Sequence, residues 1–128
     1  VAVTRLSIRI DFEPSGSALG PGMAQLLELI ASKGSIRAAA AQMDMSYRKA
    51  WLLIQEIQKT FNGVVVEAAA GGATGGGTRL PALGDEILHL YRAVEQLAQA
   101  ASRAELARLA AIVQINAPQR RKGRGGKR

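Results

Sequence analysis

Apolar and polar positions along this chain follow three successive patterns. Leu6, Ile8 and Ile10 alternate with Ser7 and Arg9, the period of a half-buried strand. Residues Pro14 to Pro21 are rich in Gly, Ser and Pro and predict a loop. Met23, Leu26, Leu27 and Ile30 then recur at helical spacing and mark a first helix. Gly34 can close that helix in a left-handed conformation, and Ser35 is a natural N-cap for the next. Ala38 to Ala41 make that next helix short and nearly free of bulk. Asp44 and Met45 form a turn, and Ser46 can cap a longer helix. In this longer helix Tyr47, Ala50, Trp51, Ile54, Ile57 and Phe61 predict one buried face, with Arg48, Lys49, Leu52, Gln55, Glu56 and Lys59 largely off it.

A short helix, a tight turn and a long amphipathic helix with paired cations at its start have the layout of a helix-turn-helix. In that motif the second helix enters the DNA major groove. Arg48 and Lys49 stand in the opening turn, where base edges and phosphates are met. On local pattern alone a two-helix hairpin with solvated charges is the competing reading.

Further along, Val64–Glu67 and Thr78–Leu80 predict two short strand arms around a glycine loop, Gly71-Gly72-Ala73-Thr74-Gly75-Gly76-Gly77. The loop has phosphate-loop spacing up to the lysine position, which is Gly77, and the residues between it and Pro81 look like strand where a phosphate loop needs a helix. A wing hairpin pressed against DNA phosphates or into the minor groove accounts for the same glycines, with Thr74, Thr78 and Arg79 as its polar anchors. A hairpin tip without contacts is the bland alternative.

The pattern Gly34-Ser35-x-x-Ala38-Ala39-Ala40 followed by Ser46 is similar to the LysR-type winged helix-turn-helix. More specifically, Ser46-Tyr47-Arg48-Lys49-Ala50-Trp51, then Val66-Glu67 and the glycine loop, resemble the N-terminal DNA-binding domain of the ModE family, molybdate-responsive transcriptional regulators. The resemblance covers roughly residues 4 to 113. It implies a mainly α fold with a small β-sheet, in which the N-terminal strand completes the sheet of the wing. It also implies a dimeric, sequence-specific transcription regulator. Candidate DNA contacts are Ser35, Arg37, Ser46, Tyr47, Arg48, Lys49, Lys59, Thr74, Thr78 and Arg79. Where the family carries Arg after the Val-Glu pair this chain has Ala68, Ala73 replaces a basic loop residue, and Arg79 is an added cation. The family's molybdate-sensing domain carries a Ser-Ala-Arg-Asn-Gln-Trp segment that does not occur here, so molybdate sensing is not expected and no cofactor is implied.

From Ala82 to Ile115 the chain reads as helical, with a break near Ser102. Leu83, Ile87, Leu90, Tyr91, Val94 and Leu97 form a stripe close to heptad spacing, which predicts a homodimer seam on a long C-terminal helix. Two-fold symmetry then suits a pseudo-palindromic operator of double-stranded DNA. Packing on its own domain is the alternative for this helix. The organisation expected is therefore a winged helix-turn-helix over 1–80, a helical dimerisation element over 81–115, and a basic tail without periodicity over 116–128.

Charge refines this picture. The chain has 128 residues and a formal net charge of +7, which favours a polyanionic partner. Arg120, Arg121, Lys122, Arg124, Lys127 and Arg128 supply six of those charges, and the rest of the chain holds 11 basic and 10 acidic residues. The tail is thus a candidate for phosphate contacts, and the polarity of the folded part must be local. Zero cysteines fit a reducing cytoplasm, and neither a membrane span nor a signal-peptide core is present. His89, the sole histidine, with Asp85 and Glu86 is an incomplete metal constellation, and no nucleophile–base pair is anchored by a motif. Neither an enzyme nor a metal site is expected. The alternative function is a helical protein-interaction module that binds nucleic acid nonspecifically through its tail.

Overall fold

The computed structural model describes residues 3–69 and 77–116. They fall into two compact units, Ser7–Gln96 and a second made of Val1–Leu6 with Leu97–Arg128.

The larger unit opens with a hairpin. Strands β1 (Ile10–Phe12) and β2 (Ser17–Leu19) pair antiparallel, Ile10 opposite Leu19 and Phe12 opposite Ser17. Gly16 turns the chain at φ 80°, a conformation that strains other residues. The expected alternation holds as burial: Ile8, Ile10 and Phe12 are half-buried, whereas Ser7, Arg9 and Asp11 are exposed. Its pairing differs from expectation. The strand pairs with part of the segment predicted as a loop, Pro14 to Pro21, and not with the wing. A short turn brings these partners together at far lower loop-closure entropy than a partner some sixty residues away.

Three helices follow, α1 (Pro21–Lys33), α2 (Ile36–Gln42) and α3 (Tyr47–Phe61). Pro21 sits at the start of α1, where its missing N–H has no helical partner to lose. Gly34 ends α1 at φ 69°, its N–H donating to the Ile30 carbonyl at 2.8 Å. Leu26, Leu27 and Ile30 of α1, Ala39 and Ala40 of α2, and Ala50, Ile54 and Ile57 of α3 are buried together. Leu19 and Val65 join the same core. Phe12 meets Phe61 edge to face at 5.5 Å, which ties the hairpin to the end of α3.

The wing arms are β3 (Glu67–Ala68) and β4 (Thr78–Arg79), antiparallel with Glu67 opposite Arg79. They are shorter than the arms expected at Val64–Glu67 and Thr78–Leu80, because Val65 is drawn fully into the core. Residues 70–76, which include Thr74 and most of the glycine loop, lie outside the described residues.

Helices α4 (Ala82–Ala101) and α5 (Arg103–Asn116) meet at Ser102, where the break is expected. The apolar stripe of α4 divides in two. Ile87 and Tyr91, expected at a dimer seam, are buried in this chain's own core at 6% and 1% exposure, and Leu83 is half-buried against it. This corrects the single-face reading. Six apolar positions at near-heptad spacing wrap further round a helix of 3.6 residues per turn than one contact can cover. Leu90 and Val94 lie outside that core contact, at 59% and 42% exposure. The two units divide within α4, between Gln96 and Leu97.

Polar contacts fasten α4 in place. The Tyr91 hydroxyl donates to the Ile8 carbonyl. Burial, followed by the nearby Glu95 carboxylate, pushes this phenol above its ordinary pKa. Arg92 forms ion pairs with Glu28 of α1 and with Glu95. Burial opposes its charge, but the hydrogen bonds it donates to Glu95 and Glu28 outweigh that and hold its pKa above the ordinary value. In the second unit the Leu6 N–H donates to Gln99 Oε1 at 3.1 Å, and the Ser102 hydroxyl donates to the Ala98 carbonyl at 2.6 Å. Among the described residues no helix is long and apolar enough to cross a membrane.

Gly84 lets α4 lie directly on the backbone before the wing, since a Cβ there would stand 2.1 Å from the Val65 carbonyl oxygen. Gly84→Ala should therefore lower stability by about 1–3 kcal/mol. Gly22→Ala, whose Cβ meets open space, should not. Urea unfolding midpoints of the two variants decide the matter.

Candidate nucleic-acid interface

The surface of interest is built by two helix caps and one turn. The Ser35 hydroxyl accepts from the Ala38 N–H at 3.0 Å and starts α2. The Ser46 hydroxyl accepts from the Lys49 N–H at 3.0 Å and starts α3. Between the helices Asp44 adopts φ 58°, and the Met45 N–H donates to the Ala40 carbonyl at 3.0 Å. Asp tolerates this left-handed conformation better than most residues, which suits it to the turn. Ser35 and Ser46, named as candidate DNA contacts, are thus first of all caps, and each hydroxyl retains a proton to donate outward.

Ala39, Ala40 and Ala50 are buried at 0%, 2% and 0% exposure, so α2 and α3 touch through their smallest side chains. That close approach decides which face of α3 turns outward. Leu53 joins the core side as a half-buried residue, and Tyr47 and Trp51 stay out at 42% and 43% exposure. The expectation that these two aromatics belong to the buried face is corrected. Periodicity alone places them near its edge, and the buried face of α3 is made by Ala50, Ile54 and Ile57.

The exposed face is cationic at its start. Arg48 and Lys49 are both exposed in the first turn of α3. Arg37 of α2 is exposed and holds its guanidinium over the Tyr47 ring, 4.8 Å from the centroid. Lys59 is exposed in the last turn of α3. It shares the helical face of Arg48 and lies roughly 16 Å further along the axis. The fold thus gathers Arg37, Tyr47, Arg48 and Lys49, with Lys59 farther along the same helix. Trp51 and Leu52 also stand on this exposed side, although the sequence pattern marks one as core and neither as a contact.

The wing contributes less than expected. Arg79 Nε pairs with Glu67 Oε2 at 3.0 Å, so its charge is balanced across the strands rather than free for a phosphate. The Thr78 N–H donates to the Gly34 carbonyl at 2.9 Å, and its hydroxyl is buried with no hydrogen-bond partner among the described residues. Thr78 is therefore a packing residue and not a surface anchor. A Cβ at Gly77 would lie 2.6 Å from the Gly34 carbonyl oxygen, so this glycine serves close approach to the α1–α2 junction. Gln58 is not among the residues the sequence singles out, yet its Oε1 accepts from the Val65 N–H at 3.0 Å and joins α3 to the entry of the wing. Nothing in its spacing distinguishes it from a solvated glutamine.

No protein-family model matches the chain. Individual relatives do. The molybdenum transport protein ModE of Herbaspirillum seropedicae is 39% identical over 71 residues, 56% of this chain and 26% of that protein. The molybdenum-pterin-binding protein MopB of Rhodobacter capsulatus is 37% identical over 86 residues, 67% of this chain and 32% of that protein. The DNA-binding transcriptional dual regulator ModE of Escherichia coli K12 is 37% identical over 81 residues, 63% of this chain and 31% of that protein. The chain thus spans about a third or less of the length of these curated relatives. Among solved structures, that of a CbnR_DBD–DNA complex superposes with a TM-score of 0.53 at 22% identity, covering 67% of this chain and 94% of that one. That likeness concerns the fold, and it agrees with the caps, turn and wing described above. Sequence relatives and fold together identify a ModE-like winged helix-turn-helix domain in this chain.

Proposed function

We propose that this chain is a sequence-specific, double-stranded-DNA-binding transcription regulator that acts as a dimer, with α3 lying in the major groove. The observation that carries this reading is the exposed first turn of α3. Arg48 and Lys49 point away from the core there, beside an Arg37 already stacked on Tyr47. A helix N-terminus carrying two cations and set forward by a short capped helix suits base edges and flanking phosphates together. The relatives support the same direction, since the Escherichia coli protein is described as a DNA-binding transcriptional dual regulator.

Leu90 and Val94, one helical turn apart and exposed on α4, support assembly as a two-fold dimer. A second copy covering them would set two α3 helices about 34 Å apart, on successive major grooves of a pseudo-palindrome. The basic residues from Arg120 onward would add phosphate contacts of no sequence preference. A helical interaction module that binds nucleic acid only through charge is the rival reading.

Selection from random duplexes at moderate salt separates the two, because the proposal expects an enriched, two-fold related motif and the rival expects none. The double variant Arg48→Ala/Lys49→Ala should stay folded and no longer discriminate between the selected site and a scrambled one. Each side chain that reads a base should account for about 1–3 kcal/mol of that discrimination. Unchanged discrimination would remove α3 from the recognition role.

Leu90→Glu/Val94→Glu should give a folded monomer, since burying like charges against symmetry mates costs several kcal/mol. Such a monomer reaches a single half-site and forgoes the gain from linked binding. Light scattering and a DNA titration on one sample test this. A wild type that is already monomeric, or a monomeric variant with full affinity for the complete site, would end the two-fold model.

A further inference from the structure

The structure leaves three large apolar side chains on the solvent side of α3: Tyr47, Trp51 and Leu52, at 42%, 43% and 45% exposure. Singly they would need no explanation, since much protein surface is apolar. Their placement does. Tyr47 and Trp51 are one helical turn apart, as are Arg48 and Leu52, so the four are mutual neighbours on the helix surface. The core contact of α3 is already supplied by Ala50, Ile54 and Ile57. Arg37, Arg48 and Lys49 rim the apolar patch, giving a surface that is cationic and apolar within two turns.

Resting on the reading of α3 as the recognition helix, we propose that Trp51 is a specificity-determining residue that packs on thymine C5-methyl groups. The floor of the major groove presents donors and acceptors at every base pair but one apolar group, the thymine methyl. Phosphates flank it on both sides. A patch with an apolar centre and a cationic rim complements that arrangement. Helical side chains lean toward the N-terminus, so the Trp51 indole covers the opening turn of α3, beside Arg48 and not beyond it. The bases reached by Arg48 and Lys49 are then the ones whose neighbours Trp51 can sense. Face-on stacking of the indole would need bases taken out of the helical stack, which a paired duplex does not offer. Edge contact with the methyl is the mode that paired DNA allows, and Leu52 extends it along the groove.

The test removes single methyl groups from the ligand. Duplexes carrying the selected site are made with each dT of one half-site replaced in turn by dU, which deletes the C5-methyl and keeps every hydrogen bond. At one or two positions wild-type affinity should fall by about three- to fivefold, the effect of exposing one methyl. Trp51→Ala should bind dT and dU duplexes at those positions equally, whereas Glu56→Ala, exposed on α3 but off the patch, should keep the difference. Trp51 is the sole tryptophan, so its emission provides a second readout on the unaltered protein. Emission should shift to the blue on the dT duplex and less on the matching dU duplex. Sequence preference with no sensitivity to dU anywhere, or a folded Trp51→Ala that retains it, overturns the methyl contact alone. Emission unchanged by bound dT duplex does the same. Loss of all sequence preference in the wild type would overturn the recognition-helix reading together with it.

Discussion

The contact on which the rest of this structure depends is the crossing of α2 and α3 through Ala39, Ala40 and Ala50. These side chains are almost wholly buried and almost without bulk, so the two helix backbones come close. A larger residue at any of the three would push the helices apart and rotate α3. The Ser35 and Ser46 caps and the left-handed Asp44 set where each helix begins. The alanines set how α3 is turned about its own axis. That rotation determines that Arg48, Lys49 and Trp51 look outward while Ile54 and Ile57 look in. Under the proposed reading, function is a matter of orientation, fixed by residues that touch no DNA.

The sequence made the skeleton legible and left some of its faces unresolved. Caps, turn and break sites have local chemical causes, so Ser35, Ser46, Gly34 and Ser102 could be placed from their neighbours alone. Faces have tertiary causes. Tyr47 and Trp51 fit the apolar period of α3 as well as Ile54 does, and only the tight alanine crossing excludes them. Ile87 and Leu90 likewise share the stripe of α4, and only the presence of Val65 beneath Gly84 shows which side the core occupies. The N-terminal hairpin was hidden for a different reason. Gly, Ser and Pro between Pro14 and Pro21 carry a loop composition, yet a three-residue strand needs little β-propensity once its partner is four residues away.

Charge placement separates the two parts of the candidate interface. The folded portion is nearly neutral, so a field that attracts DNA must come from local excess. At α3 no acid is paired with Arg48 or Lys49 among the described residues, and Arg37 is stabilised by a ring rather than by a carboxylate. At the wing the opposite holds, because Glu67 stands directly across from Arg79 and takes its charge. Exposed pairs of this kind are worth little to stability, and their main effect here is electrostatic. The described part of the wing thus works as a brace. Thr78 and Gly77 lock it to Gly34, and Gln58 ties its other strand back to α3.

That brace bears on how recognition could fail without any change at a base-reading side chain. Gln58 Oε1 accepts the N–H of Val65, and the Val65 carbonyl in turn lies against Gly84 of α4. One residue therefore connects the back of the recognition helix to the helix that carries Leu90 and Val94. The first step is one hydrogen bond between the Gln58 side chain and backbone, and the second is a backbone approach that only a glycine at 84 allows. In the proposed dimer, whose two α3 helices would have to match the repeat of DNA, such a linkage would convert the position of α4 into the spacing of the two α3 helices. A looser junction would allow each α3 to find its half-site separately and would weaken the coupling between the two. If α3 reads DNA as proposed, precision at Val65, a wholly buried and chemically inert residue, matters to binding in the same sense that the three alanines do.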